Sequence, residues 1–152
     1  MDPLSLSLSC IALLQPIAQA LTATVNFVRD VRDARNDMDL VSRELHSLEY
    51  VLKILADDTG NYHDENLPSS FVERIKETVV SCGDIVKQIA ECLESHTGNR
   101  GIKGAMWVAG GREKMTKLRT HLEAYKSGLN IAVDMLGLYV SSYSLPFLRN
   151  VH

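Results

Sequence analysis

Between Pro3 and Val28 the sequence carries no charged side chain, a run of 26 residues. As an α-helix that run is about 39 Å long, longer than the roughly 30 Å hydrocarbon core of a bilayer. Its apolar residues follow helical spacing along two stripes. One stripe is Leu4, Leu8, Ile11, Leu14, Ala18, Leu21, Val25 and Val28; the other is Leu6, Cys10, Leu13, Ile17, Ala20, Phe27 and Val31. A helix that is apolar on more than one face has to be covered by several neighbours or by lipid. Ser5, Ser7, Ser9, Gln15, Gln19, Thr22, Thr24 and Asn26 make the run a poor permanent membrane span. The expected resting state is therefore the central helix of a soluble bundle, with both stripes hidden. Asp2-Pro3 supplies a cap and a proline at the helix start, whereas Pro16 is expected to kink or break the rod. The Ala18-Gln19-Ala20 triplet resembles a secretory cleavage site. Asp2, the interrupting serines and the lack of a basic residue ahead of the apolar stretch argue against that role.

Three further helical segments follow. The second begins near Arg35–Asp37 and runs to about Asp57, with the heptad seam Met38, Val41, Leu45, Leu48, Leu52 and Leu55. Asp57–Asn66 is polar and turn-rich and reads as a loop, after which Leu67-Pro68-Ser69 restarts a helix. The third segment carries Phe71, Ile75, Val79, Cys82, Val86, Ile89 and Leu93. Gly98 to Gly111 reads as a glycine-rich connection anchored by Trp107. The fourth segment starts near Arg112, with Met115, Leu118, Leu122, Tyr125, Leu129, Val133 and Leu136 on its seam. No sustained period-two run marks a strand. The expected fold is all-α: an antiparallel four-helix bundle over residues 1–140, opened by a long, apolar, Pro-kinked helix. Residues 141–152, with Pro146, read as a C-terminal tail or linker. A length of 152 residues suits one such domain.

Charge is distributed unevenly. Residues 37–99 hold thirteen acidic and five basic side chains, and residues 100–128 hold seven basic and two acidic. Two readings of the basic block stay open: contact with an anionic surface, or pairing with the acidic helices of the same bundle. Only 6% of residues are aromatic, which disfavours a binder that stacks single-stranded bases, and no nucleic-acid partner is expected. Cys10, Cys82 and Cys92 lack metal-ligand spacing. On one helix Cys82 and Cys92 lie about 280° apart, so buried, reduced thiols are expected rather than a disulfide.

Catalytic and cofactor motifs are missing. There is no HExxH, ExxH, GxSxG or GxxxxGK[ST]. His46, His63, His96, His121 and His152 are scattered over helices, loops and the terminus. Asp57/Asp58 and Asp64/Glu65 lack the ligand spacing of a calcium loop. No catalytic residue, metal or cofactor site is expected, and the chain does not read as an enzyme.

The Met1-Asp2-Pro3-Leu4-Ser5 opening and its charge-free helix resemble the N-terminal domain of fungal NLR-like STAND proteins, related to HeLo and HeLo-like cell-death domains. The likeness continues through Val41-Ser42-Arg43-Glu44-Leu45-His46-Ser47-Leu48 and Val51-Leu52. It returns at Trp107, at Lys117-Leu118-Arg119-Thr120-His121-Leu122 and at Tyr125–Leu129. This resemblance implies a cytoplasmic signalling domain that oligomerises with itself, moves to the plasma membrane and permeabilises it through its first helix. It also implies a NACHT-type or NB-ARC-type receptor module in cis; none of the 152 residues reads as such a module. The membrane-active residues carried over are Leu4, Leu8, Ile11, Leu14, Ile17, Leu21, Val25 and Val28. From the charge pattern, Arg112, Lys114, Lys117, Arg119 and Lys126 are the expected contacts to anionic lipid. The alternative is a non-lytic adaptor whose first helix never leaves the bundle.

Overall fold

A computed structural model describes the backbone of residues 3–61 and 67–149, and the side chains of residues 6–59 and 67–139. Helix α1 spans Pro3–Asp30 and leads through a 3₁₀ turn, Arg32–Ala34, into α2, Arg35–Asn61. Helix α3 spans Ser69–Glu94. The short α4, Arg100–Met106, passes through a π turn, Trp107–Gly111, into α5, Arg112–Arg149. The expected all-α bundle is present, and no strand occurs among the described residues.

The seams of α2 and α3 pack as their spacing requires. Met38, Val41, Leu45, Leu48, Leu52 and Leu55 are all buried, as are Ile75, Val79, Cys82, Val86, Ile89 and Leu93. On α5 the seam shifts: Met115, Leu118, Leu122, Leu129, Ala132 and Leu136 are buried while Tyr125 is exposed. A tyrosine at the margin of a core keeps its hydroxyl in water, and Ala132, two turns later, is buried in place of the expected Val133, which is half-buried.

Helix α1 packs against α2 and α3, and α5 packs against the same two helices from the opposite side. Ser7 meets Ala56 and Thr24 meets Ser42, so α1 and α2 run antiparallel. A Cβ added at Gly83 would lie 3.4 Å from Leu13 Cδ1, and Phe27 stacks on His96, so α1 and α3 run parallel. The bundle is thus two antiparallel hairpins, α1/α2 and α3/α5, laid side by side.

Several sequence expectations need correction. Of the kink or break expected at Pro16, a break is absent, and α1 continues through that residue although it has no N–H to donate. Asp57 and Asp58 belong to α2, which runs on to Asn61. Asp64 and Glu65, with His63, lie outside the described residues. The segment read as a tail is helical to Arg149, because no proline or glycine stands between Gly137 and Pro146; Asn150, Val151 and His152 lie outside the described residues.

The glycine-rich stretch read as a connection is helical from Arg100 onward. Glycine disfavours a helix by about 1 kcal/mol each, so tertiary contacts must hold this one. Asn99 caps it, its Oδ1 accepting from Ile102 N at 3.0 Å, and Gly98 turns the chain beforehand with φ +108°. Trp107 is fully buried and stacks edge-on against Phe27 at 5.2 Å. Gly111 lets the ring of His96 lie directly against the backbone, where a Cβ would collide with His96 Nε2.

Two glycine substitutions should therefore behave oppositely. Gly104 faces open space, so Gly104→Ala is expected to stabilise by about 0.5–1 kcal/mol. Gly111→Ala is expected to cost about 1–3 kcal/mol, because His96 is held between two rings and cannot retreat. Urea denaturation of the two variants beside the parent chain measures both shifts.

Candidate functional site

Helix α1 is divided lengthwise into three stripes. The inward stripe is Leu6, Cys10, Leu13, Ile17, Ala20, Thr24, Phe27 and Val31, every one buried. Its spacing alternates four and three, a strict heptad seam. A second stripe with the same alternation, Ser7, Ile11, Leu14, Ala18, Leu21, Val25 and Val28, runs beside it toward solvent. Ile11 is 51% and Val25 61% exposed, whereas Leu14, Leu21 and Val28 are half-buried at the α2 edge. The third stripe is polar and exposed: Gln15, Gln19, Thr22 and Asn26.

The expectation that the bundle hides both apolar stripes is thus corrected. A helix at the corner of a four-helix bundle is covered by two adjacent neighbours, and α5 lies across the diagonal, leaving the far side of α1 uncovered. Of the residues expected to be membrane-active, Ile17 alone is fully buried in the core; Leu8, Ile11 and Val25 already face water, and the side chain of Leu4 lies outside the described residues. Residues Leu6–Asp30 form a helix long and apolar enough to cross a membrane, with mean hydropathy 1.5 and only 28% of the apolar window buried.

What holds α1 differs on its two sides. Toward α2, Ser7 Oγ donates to Ala56 O at 3.0 Å, and Thr24 Oγ1 lies 3.2 Å from Ser42 Oγ while donating to Leu21 O. Toward α3 the seam itself is buried, and two clefts lie along its solvent edge. A cleft of about 700 Å³ follows the polar stripe past Phe27, Glu94, His96 and Lys103, and a second of about 640 Å³ runs from Ser9 to Gln19 beside Val80 and Lys87. Helix α1 is therefore packed on both neighbours, with side-chain hydrogen bonds to α2 and surface clefts beside α3.

The five basic residues expected to contact lipid are not one surface. Arg112 Nε bonds Asp37 Oδ2 at 3.1 Å, and Lys126 Nζ bonds Glu44 Oε2 at 2.7 Å with both side chains more than 80% buried. Arg112 and Lys126 are fourteen residues apart on α5, and Asp37 and Glu44 seven apart on α2, so both pairs flank the α2–α5 seam. Lys117 pairs with Glu113 on its own helix at 3.5 Å, Lys114 is exposed, and Arg119 is half-buried. Internal pairing accounts for most of this block.

The residues sequence reasoning missed lie at the α1–α3–α4 end. His96, expected in a loop, is buried directly after α3; its Nδ1 lies 2.6 Å from Cys92 O, which fixes that nitrogen as the donor. Its ring packs with Phe27 and Trp107. Trp107 Nε1 has no hydrogen-bond partner there. The only early signal was Trp107 itself, a large apolar residue stranded among glycines.

The three thiols are free and buried. Burial pushes Cys10 up to about 11, and burial together with the neighbouring Cys10 pushes Cys82 up to about 12, so neither is a nucleophile at neutral pH. No group of histidine, cysteine and carboxylate side chains able to hold a metal occurs among the described residues. Burial, and then the adjacent Asp57, pushes the Asp58 carboxyl up.

Fold and surface together define an all-α bundle whose first helix leaves part of an uncharged apolar stripe outside the core. The chain belongs to the fungal domain family described as the N-terminal domain of the pigment biosynthesis cluster protein PigL, which matches residues 1–152. No curated protein and no solved structure matches it.

One ion cluster closes this end of the bundle. Lys103 Nζ donates to Asp30 Oδ2 at 2.7 Å, with Arg100 Nε 3.8 Å from Oδ1. The Lys103 hydrogen bond, with the charges of Lys103, Arg100 and Arg29, holds the Asp30 carboxyl below its ordinary value despite some desolvation. A depressed carboxylate contributes stability above its unfolded pKa and loses it as the pH falls through the folded value. Lys103→Met is therefore expected to flatten the loss of stability on acidification below about pH 4. Urea midpoints measured in parallel at neutral and acid pH check this.

Proposed function

We propose that this domain is a cell-death effector and signalling module of a fungal innate-immunity or incompatibility system, one that self-assembles and permeabilises the plasma membrane through α1. The observation that carries this reading is the outward heptad stripe, which α2 covers only along one edge, leaving Ile11, Ala18 and Val25 exposed on a helix uncharged for 26 residues. A second copy of the same seam would cover it without burying any charge. Assembly brings several α1 helices together, and in lipid the apolar stripes face outward while Gln15, Gln19, Thr22 and Asn26 bond between helices or line water. The surface clefts along the edge of the α1–α3 seam support release of α1, since the polar flank of the helix is uncovered there.

The resemblance to HeLo-like and STAND N-terminal domains supports the same reading. It adds a receptor module of NACHT or NB-ARC type in cis, and relocation from the cytoplasm to the plasma membrane. On this reading the domain works by assembly and not by catalysis. The family's name refers to a pigment biosynthesis cluster and specifies no reaction for this domain.

A second reading, a non-lytic adaptor, is favoured by the hydrogen bonds of Ser7 and Thr24 that tie α1 to α2. Dye release from vesicles containing anionic lipid separates the two. The wild-type domain is expected to release dye, and the double variant Ile11→Gln, Val25→Gln to lose at least about tenfold in rate, as two apolar side chains are removed from the seam. Both positions face water in the monomer, so the variant is expected to fold normally. Intact vesicles with the wild-type protein would establish the adaptor instead.

A further inference from the structure

One end of the bundle gathers the α1–α2 turn, α4 and the π turn; the other carries Asp57 and Asp58 at the close of α2. At the first end Arg29, Arg32 and Arg100 surround a cleft of about 260 Å³ with Asp30, Asp33 and Gly104. Arg29 and Arg32 are exposed and form no ion pair among the described residues, whereas Asp30 is already answered by Lys103. The cluster therefore keeps cationic capacity that the bundle does not use. At the same end of the bundle stand three exposed large apolar side chains: Ile102 at 51%, Met106 at 38% and Val108 at 71% exposure. Unpaired arginines and exposed aliphatic residues gathered at one end of the bundle make an interfacial surface, with cations for headgroups and side chains for the acyl boundary.

We propose that the end of the bundle formed by the α1–α2 turn and α4 is the face this domain sets on an anionic bilayer, with Arg29, Arg32 and Arg100 at headgroup phosphates and Ile102, Met106 and Val108 entering the acyl boundary. The inference rests on the membrane reading above and differs from the sequence expectation, which placed lipid contacts along Arg112–Lys126. Charge complementarity selects the occupant: an anionic lipid surface satisfies the arginines and the aliphatic residues together, and a soluble phosphate satisfies only the first. The orientation is also consistent with transfer of α1. Arg29 and Arg32 directly follow the uncharged run, so they would stay at the cytoplasmic headgroups while the Pro3 end crosses, as the bias of cytoplasmic flanks toward basic residues requires.

Sedimentation with vesicles of phosphatidylcholine, with and without phosphatidylserine, tests this. The buried fluorescence of Trp107, the sole tryptophan, reports folding of each variant. Wild type is expected to bind only the anionic vesicles. Arg29→Glu with Arg32→Glu should weaken binding by at least about tenfold, since each cation near the surface is worth about fivefold. Ile102→Ser with Val108→Ser should weaken it as well, and Lys117→Glu should leave it unchanged. Binding that survives the arginine reversal, or falls equally with Lys117→Glu, overturns the proposal. So does displacement by inorganic phosphate, at constant ionic strength, with the two serine substitutions silent. Because sedimentation does not require leakage, binding through this end without dye release supports the docking face and defeats permeabilisation, and leakage indifferent to these residues does the reverse.

Discussion

A helix at the corner of a four-helix bundle can bury one seam, and α1 has two. That geometric shortfall organises the molecule. The inward seam from Leu6 to Val31 is complete and fully buried, and it gives the bundle its core on this side. The outward seam is equally regular but meets α2 only at its edge. Nothing in the run from Pro3 to Val28 is charged, so neither seam is marked by its own residues as the one that belongs in water. The placement of α2 and α3 decides which faces inward, and α5 is too far across the bundle to cover the rest.

The remaining features fit around that helix. Two side-chain hydroxyls, Ser7 and Thr24, fasten α1 to α2, while the clefts beside α3 leave its other flank partly unfilled. At the far end of α1, Asp30 is drawn into a cluster with Lys103 and Arg100, which couples the end of the helix to α4. Trp107, Phe27 and His96 pack as one aromatic group, where glycine at 111 and a π turn accommodate the ring of His96. A π turn inserts one residue into the helical ladder, and here it lets Trp107 point inward while α5 keeps its own seam in register.

Much of the fold was legible in the sequence because its information is local. The heptads of α2 and α3 are written every three or four residues, and each of their leucines and isoleucines lies where the period puts it. Four things were not legible. Two equal apolar stripes on α1 carry no local signal of which one is inside. The helix across Gly98–Gly111 is held by contacts to Phe27 and Asp30, some seventy residues distant in the chain, so local propensity pointed to a loop. The charge block on α5 was visible, but its partners Asp37 and Glu44 are 75 and 82 residues away, and periodicity within one helix cannot report pairing between two. The cationic end near Arg29 and Arg100 escaped for the same reason, since folding assembles it from separate segments.

The central claim is that α1 leaves its neighbours when the domain assembles on a membrane. Cys82 reports this directly, since it lies in the core beside Cys10 of α1 and its thiol is pushed up to about 12. Cys92, on the same helix but near Lys114 of α5, serves as the internal reference. Site-resolved alkylation, read by mass spectrometry before and after addition of anionic vesicles, is the decisive measurement. Departure of α1 should open Cys82 to the reagent while α5 continues to shield Cys92. If Cys82 stays unlabelled in membrane-bound protein that is releasing dye, α1 has not moved, and the account is wrong at its root.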